Sequence, residues 1–199
     1  MEPTHEGIFL GDGTRTDFIE FPLTVEALKE KLTIEIIAHH LSNTCRFNGA
    51  TPYFYTVAQH SWNVYQEALN EGSYNAYNKA NLRWLLLHDA VETLTGDIIR
   101  PLKNRMNACA DYVLRTAKKD RLAAFKAAFE YEAIEHIVTA TLIQKFQAEP
   151  FPEWKTYDNA VNFKEVGFFF RQKEPEGGYR YWHPEVAKAQ FLETWARLQ

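Results

Sequence analysis

Apolar residues recur at helical spacing along most of this chain. Thr24 to Lys31 and Ile34 to Ser42 each carry that spacing, with Thr24 and Thr33 placed to cap the helix N-termini. Thr56 to Asn70 sets Val57, Ser61, Val64 and Ala68 on one stripe, and His60 borders that inward face. Asn81 to Thr95 is apolar almost all round through Leu82, Trp84, Leu85, Leu86, Leu87, Ala90, Val91 and Leu94, which predicts a central, buried helix stopped by Gly96. Asn107 to Ala148 stays helical, with breaks within it, until Pro150 and Pro152; Glu153 to Val166 forms a further helix. Pro184 to Leu198 makes a last one, with proline near its first turn. Ile8-Phe9-Leu10 and Phe18-Ile19-Glu20-Phe21 flank a Gly11-Asp12-Gly13 turn and predict a small hairpin, while Phe168-Phe169-Phe170 reads as irregular structure or a short hairpin. The expected class is all-α with a minor β hairpin near the N-terminus, in a single domain over residues 1–199.

Composition narrows the function rather than the fold. A 199-residue chain supports one well-buried core, and its 15% aromatic content favours a core or pocket rich in large rings. The net charge of -4 disfavours a nucleic-acid polymer as partner but leaves room for local cations to grip a small phosphate ester. Cys45 and Cys109 make neither a disulfide framework nor a paired-cysteine metal site. No secretion-signal layout and no apolar run of about 20 residues stands in the sequence, so the expectation is a cytoplasmic protein without membrane contact.

The chemistry concentrates in Leu86-Leu87-His88-Asp89-Ala90-Val91-Glu92-Thr93-Leu94-Thr95-Gly96-Asp97. Burying His, Asp and Glu in so apolar a helix is costly unless they are paired or bind a cation. His88 and Asp89 lie about 100° apart around the axis, so both reach one cation only if it sits between their directions. Further ligands must come from other helices; His60 on the preceding one and Asp158 beyond the two prolines are the donors in reach. Mixed nitrogen and oxygen ligands suit Mn, Fe, Co, Ni or Zn better than Ca. His39-His40 and the Glu132-Ala133-Ile134-Glu135-His136 run are read as surface or packing residues, and Trp154, Trp182 and Trp195 as core or oligomer contacts.

The order His60, His88-Asp89, Asp158 resembles the pattern of HD-domain phosphohydrolases. The segments Cys45-Arg46-Phe47, Tyr55-Thr56-Val57-Ala58-Gln59-His60-Ser61 and His88 to Asp97 resemble a narrower group, the bacterial 5′-deoxynucleotidases and phage dATP triphosphohydrolases. The likeness covers about residues 33 to 166. It implies an HD-type helical bundle that binds a divalent ion (Co, Mn, Zn, Ni or Mg) through His60, His88, Asp89 and Asp158. It also implies hydrolysis of a deoxynucleotide at the phosphorus next to the sugar, with dATP as the leading substrate, deoxynucleoside monophosphates as the alternative, and assembly into homo-oligomers. By position, Glu92 and Asp97 match the catalytic carboxylates, Arg46 and Lys103 match phosphate contacts, and Phe47 stands where the nucleotidases carry a tryptophan against the sugar. An alarmone hydrolase would carry an acid where Thr93 stands, and a cyclic-nucleotide phosphodiesterase needs more ordered histidines. The non-enzyme alternative is a regulatory nucleotide-binding module that keeps the metal site without turnover.

Overall fold

The computed structural model describes residues 8–9, 15–16, 23–70, 77–116, 131–171 and 181–199, with only the backbone for 8–9, 15–16 and 109–116. The architecture is helical apart from one two-residue strand pair near the N-terminus. In chain order it comprises α1 (Val25–Lys31), α2 (Ile34–Asn43), a single 3-10 turn (Arg46–Gly49), α3 (Val57–Ala68), α4 (Lys79–Leu87), α5 (Glu92–Thr95), α6 (Arg100–Thr116), α7 (Tyr131–Phe146), α8 (Trp154–Arg171) and α9 (Pro184–Leu198). Side-chain caps start four of the helices: Thr24, Thr33, Thr56 and Asn78 each accept the backbone N–H three residues on. Each such cap satisfies one of the amides that a helix start leaves without a partner, typically worth about 1 kcal/mol.

Helix α3 is the hub. Its Val57–Ser61 run is buried, and it contacts α2, α4, α8 and α9. Leu82 to Leu87 of α4 are all buried, as the unbroken apolar run requires. The hub therefore carries His60 inward, toward the ends of α4 and α8.

Three expectations need correction. The stretch Asn81 to Thr95 is not one helix: α4 ends at Leu87, a turn spans His88–Val91, and the short α5 follows. Through it the ladder tightens to i→i−3 bonds, Ala90 N–H to the Leu87 carbonyl (2.8 Å) and Glu92 N–H to the Asp89 carbonyl (2.9 Å), while His88 and Val91 keep helical dihedrals. Phe168-Phe169-Phe170 is neither irregular nor a hairpin, because α8 continues to Arg171 with Tyr157, Val161, Glu165 and Phe169 buried at four-residue spacing. The N-terminal pairing joins Ile8–Phe9 to Arg15–Thr16, antiparallel, rather than to Phe18–Phe21, which lies outside the described residues. No helix among the described residues is long and apolar enough to cross a membrane.

Candidate metal centre

His60 enters the site from the first turn of α3, His88 and Asp89 from the tightened turn after α4, and Asp158 from the first turn of α8. One ligating atom each of His60, His88 and Asp158 lies within 4.8 Å of the others, a grouping compatible with a divalent cation. His60 Nε2 is 3.2 Å from Asp158 Oδ1, and His88 Nε2 is 3.9 Å from the same oxygen. Asp89 stands beside this trio, with Oδ2 3.4 Å from His88 Nε2, 3.6 Å from His60 Nε2 and 3.4 Å from an Arg46 terminal nitrogen.

The outer nitrogens of both imidazoles are already spoken for, which aims the inner ones. His88 Nδ1–H donates to the Leu85 carbonyl at 2.9 Å, made possible by the turn just after α4, and its buried Nε2 has no hydrogen-bond partner. His60 Nδ1 lies 2.7 Å from Glu165 Oε1. Such outer contacts set the tautomer and orient a metal-ligating imidazole. A buried nitrogen lone pair without a donor, facing a second imidazole and two carboxylates, fits a cation better than it fits a closed hydrogen-bond network.

Glu165 is the functional residue that sequence reading missed. Fully buried on α8, two turns beyond Asp158, it receives Tyr55 Oη–H at 2.6 Å, His60 Nδ1–H at 2.7 Å and Arg46 Nε–H at 3.0 Å. Tyr55 in turn accepts from Asn63 at 2.9 Å. The available signal was a lone acid on the buried stripe of α8 in register with Asp158.

Electrostatics follow from this crowding. Burial and the Arg46 guanidinium press the His60 imidazole down, but Glu165 and the hydrogen bonds to Asp158 and Glu165 outweigh them and raise it to about 9. Without metal, His60 thus holds a proton on each nitrogen, and the proton facing Asp158 occupies the place of a cation. Burial works against the Asp158 and Asp89 carboxylates, yet the His60 hydrogen bond to Asp158, together with the imidazoles and the Arg46 guanidinium beside both, holds them below the usual range. Glu92 goes the other way: burial, then Asp89 and Asp97, push its carboxyl well above the usual range, and its Oε2 has no hydrogen-bond partner.

The His60 shift has a measurable sign. A folded pKa near 9 against an ordinary 6.5 stabilises the metal-free protein fully below pH 6.5, and that contribution disappears as pH rises through 9. Chelated protein should therefore lose thermal stability across that window. Metal-loaded protein should not, because its His60 is neutral throughout. A melting series in chelator at pH 6, 7.5 and 9 with no decline would show that His60 is not held charged.

Above the cluster lies a cavity of about 740 Å³, walled in part by Arg46, Phe47, Glu92, Asp97 and Lys103, all five of the sequence-predicted catalytic and substrate residues. Arg100 and Lys155 add two further cations to its lining. Arg46 is not a free phosphate hook in this state, since Glu165 and Asp89 engage it. Lys103 Nζ sits 4.6 Å from the centre of the Tyr131 ring and 3.9 Å from Glu135 Oε1. The Phe47 ring meets Phe170 and Phe169 edge-on at 5.4 and 6.3 Å. Phe47 and Asn48 both adopt left-handed backbone (φ 57° and 51°), a conformation costing about 1–2 kcal/mol each for residues with a Cβ, somewhat less for Asn. Asp97 does not point freely into the cavity: its Oδ2 accepts the Asn48 backbone N–H at 3.1 Å.

Fold and site together define a predominantly helical protein with a partly buried histidine–aspartate cluster that could hold a divalent metal. No family model matches the chain. It is 38% identical over 93 residues to "Uncharacterized protein YfdR" of Escherichia coli (strain K12), a stretch covering 44% of this chain and 47% of that one. It is likewise 38% identical over 96 residues to an uncharacterized protein of Rhodobacter capsulatus, covering 46% of this chain and 43% of the relative. The chain thus spans less than half the length of each of these relatives.

Proposed function

We propose that the protein is a metal-dependent phosphohydrolase of the HD type that cleaves deoxynucleotides at the phosphorus next to the sugar, with dATP the leading substrate. The observation that carries this reading is the convergence of His60, His88 and Asp158, with Asp89 alongside, under a cavity bearing a buried acid and several cations. A volume of about 740 Å³ is in the range of small-molecule sites. His60, His88, Asp89 and Asp158 would hold the ion. When bound, a divalent cation neutralises charge on phosphoryl oxygens and makes water more acidic.

The chain's own groups supply the rest. Glu92, kept protonated by burial and by Asp89 and Asp97, is the acid that hands its proton to the departing sugar oxygen as a water oxygen bonds to phosphorus and the phosphorus–sugar oxygen bond breaks. Its carboxylate then takes up the proton that the water gives off. Lys103, Arg100 and Lys155 hold the phosphate tail, and Arg46 joins them to the extent that Asp89 releases it. A 5′-deoxynucleotidase acting on deoxynucleoside monophosphates is the alternative reading of the same site. Phe47 closes one wall beside the sugar and keeps water out.

Two measurements test the reading. Incubation with dATP and dAMP under Mn, Co, Ni, Zn and Mg should give deoxyadenosine, with triphosphate released from dATP; no turnover of any deoxynucleotide with any of these metals sinks it. Binding of dATP without products under the same metals would instead make the protein a nucleotide-binding module. The Glu92→Gln protein should keep its metal affinity while kcat drops about 10²–10⁴-fold. It should also lose the alkaline fall in rate that deprotonation of Glu92 imposes on the wild type, and an unchanged kcat would remove Glu92 from the chemistry.

A further inference from the structure

The strained turn Arg46–Gly49 calls for an explanation that the metal cluster does not give. Phe47, Asn48 and Gly49 follow one another in left-handed backbone, with φ of 57°, 51° and 75°. Only Gly49 adopts that region without penalty, and phenylalanine is poorly suited to it. The Arg46 N–H is anchored to the Tyr55 carbonyl at 2.8 Å, and the Ala50 N–H closes the turn on the Phe47 carbonyl at 3.0 Å. These bonds fix the two ends. In the middle stands the hydrogen bond from Asn48 N–H to Asp97, reaching across from the segment after α5.

Asp97 is brought there by Gly96, whose positive φ of 68° turns the chain out of α5. Asn48 is exposed, so water would serve its N–H equally well, and the bond does little to rescue a buried group. Its consequence is conformational: it holds the two strained residues, Phe47 and Asn48, in a turn whose Arg46 and Phe47 side chains form part of the cavity wall. We propose that Asp97 is a positioning residue, a latch that keeps this turn in its left-handed form and so sets where the Phe47 ring meets the sugar, and that it takes no part in proton transfer. The sugar contact rests on the phosphohydrolase reading; the latch itself does not.

The conservative variant separates the roles, because an amide oxygen still accepts the Asn48 N–H but cannot act as a proton-transferring carboxylate. Hydrogen–deuterium exchange over residues 46–50 is read first, since it needs no turnover. Asp97→Ala should speed exchange there by about tenfold, and Asp97→Asn should leave it near the wild-type rate. Steady-state rates on dATP are read next. Asp97→Ala should raise KM by about tenfold, while Asp97→Asn keeps a KM near the wild type's. Both lose one of the charges that hold Glu92 protonated, so kcat should fall equally in the two and by less than about threefold. Adding Asn48→Gly to Asp97→Ala should recover much of the lost KM, because glycine holds the left-handed form unaided. Unaltered exchange in Asp97→Ala overturns the latch. So does a kcat that collapses equally in both single variants without rescue, which would make Asp97 part of the chemistry. Faster exchange in a protein whose wild type hydrolyses no deoxynucleotide leaves the latch standing and removes the proposed reaction instead.

Discussion

His88→Ala should abolish the response to divalent metal while leaving the metal-free fold nearly intact. In the metal-free protein the His88 Nε2 is a buried atom with no hydrogen-bond partner, so deleting it removes an unmet need along with a side chain. What is lost there is the Nδ1–H bond to the Leu85 carbonyl at 2.9 Å and the contact with Trp154, whose ring centre is 5.5 Å away, a cost of about 1 kcal/mol for the hydrogen bond. With metal the balance reverses. Four-ligand protein sites bind with about 10–16 kcal/mol in all, so one ligand is worth about 3 kcal/mol, or about 100-fold in affinity. The rise in Tm that saturating metal produces in the wild type should nearly vanish, and turnover with it. Asp158→Ala makes the informative contrast, because Asp158 also holds the Nε2 proton of His60 at 3.2 Å. It should lower stability in chelator as well as abolishing the metal response. Equal metal-induced shifts in Tm for wild type and His88→Ala would show that the cluster is not a metal site.

The helices were legible where one physical signal sufficed. Thr24 and Thr33 cap the helices that their position before an apolar stripe predicts, and the apolar Leu82–Leu87 run is buried as expected. His60, His88 and Asp158 were readable because each is a polar group on an otherwise inward face, and the fold brings them together. The break at His88–Val91 was not readable. Hydrophobic periodicity barely distinguishes i→i−4 from i→i−3 bonding over four residues, yet that tightened turn carries His88 and Asp89 and separates α4 from the helix that begins with Glu92. The Phe168–Phe170 run misled for a related reason: three adjacent rings have no period, and only the spacing Tyr157, Val161, Glu165, Phe169 reveals that α8 runs through them. The left-handed turn at Phe47 was invisible, since nothing in an Arg-Phe-Asn-Gly string calls for phenylalanine in that conformation.

Glu165 deserves the heaviest test because three buried groups depend on it at once. Glu165→Ala strands the His60 Nδ1–H, the Arg46 Nε–H and the Tyr55 hydroxyl in a water-poor interior, and it leaves two positive charges without their nearest counter-charge. Breaking a buried ion pair from one side costs about 3–5 kcal/mol, so this single change should bring the protein close to unfolding at ordinary temperature. Glu165→Gln keeps the shape and one acceptor but turns an N–H₂ group toward one of the donors, so it should recover only part of the loss. Its value is that enough folded protein should remain to titrate. With Glu165 gone, little holds the His60 proton on Nδ1, and the ring can present either nitrogen to the metal; affinity should drop about 10–100-fold. The same variant should lower the His60 pKa from near 9, because the anionic partner that raises it is neutral. Stability in chelator should then become flatter between pH 6.5 and 9 than in the wild type. A Glu165→Gln protein that binds metal as tightly as the wild type, with an unchanged His60 titration, would show that this carboxylate only fills space.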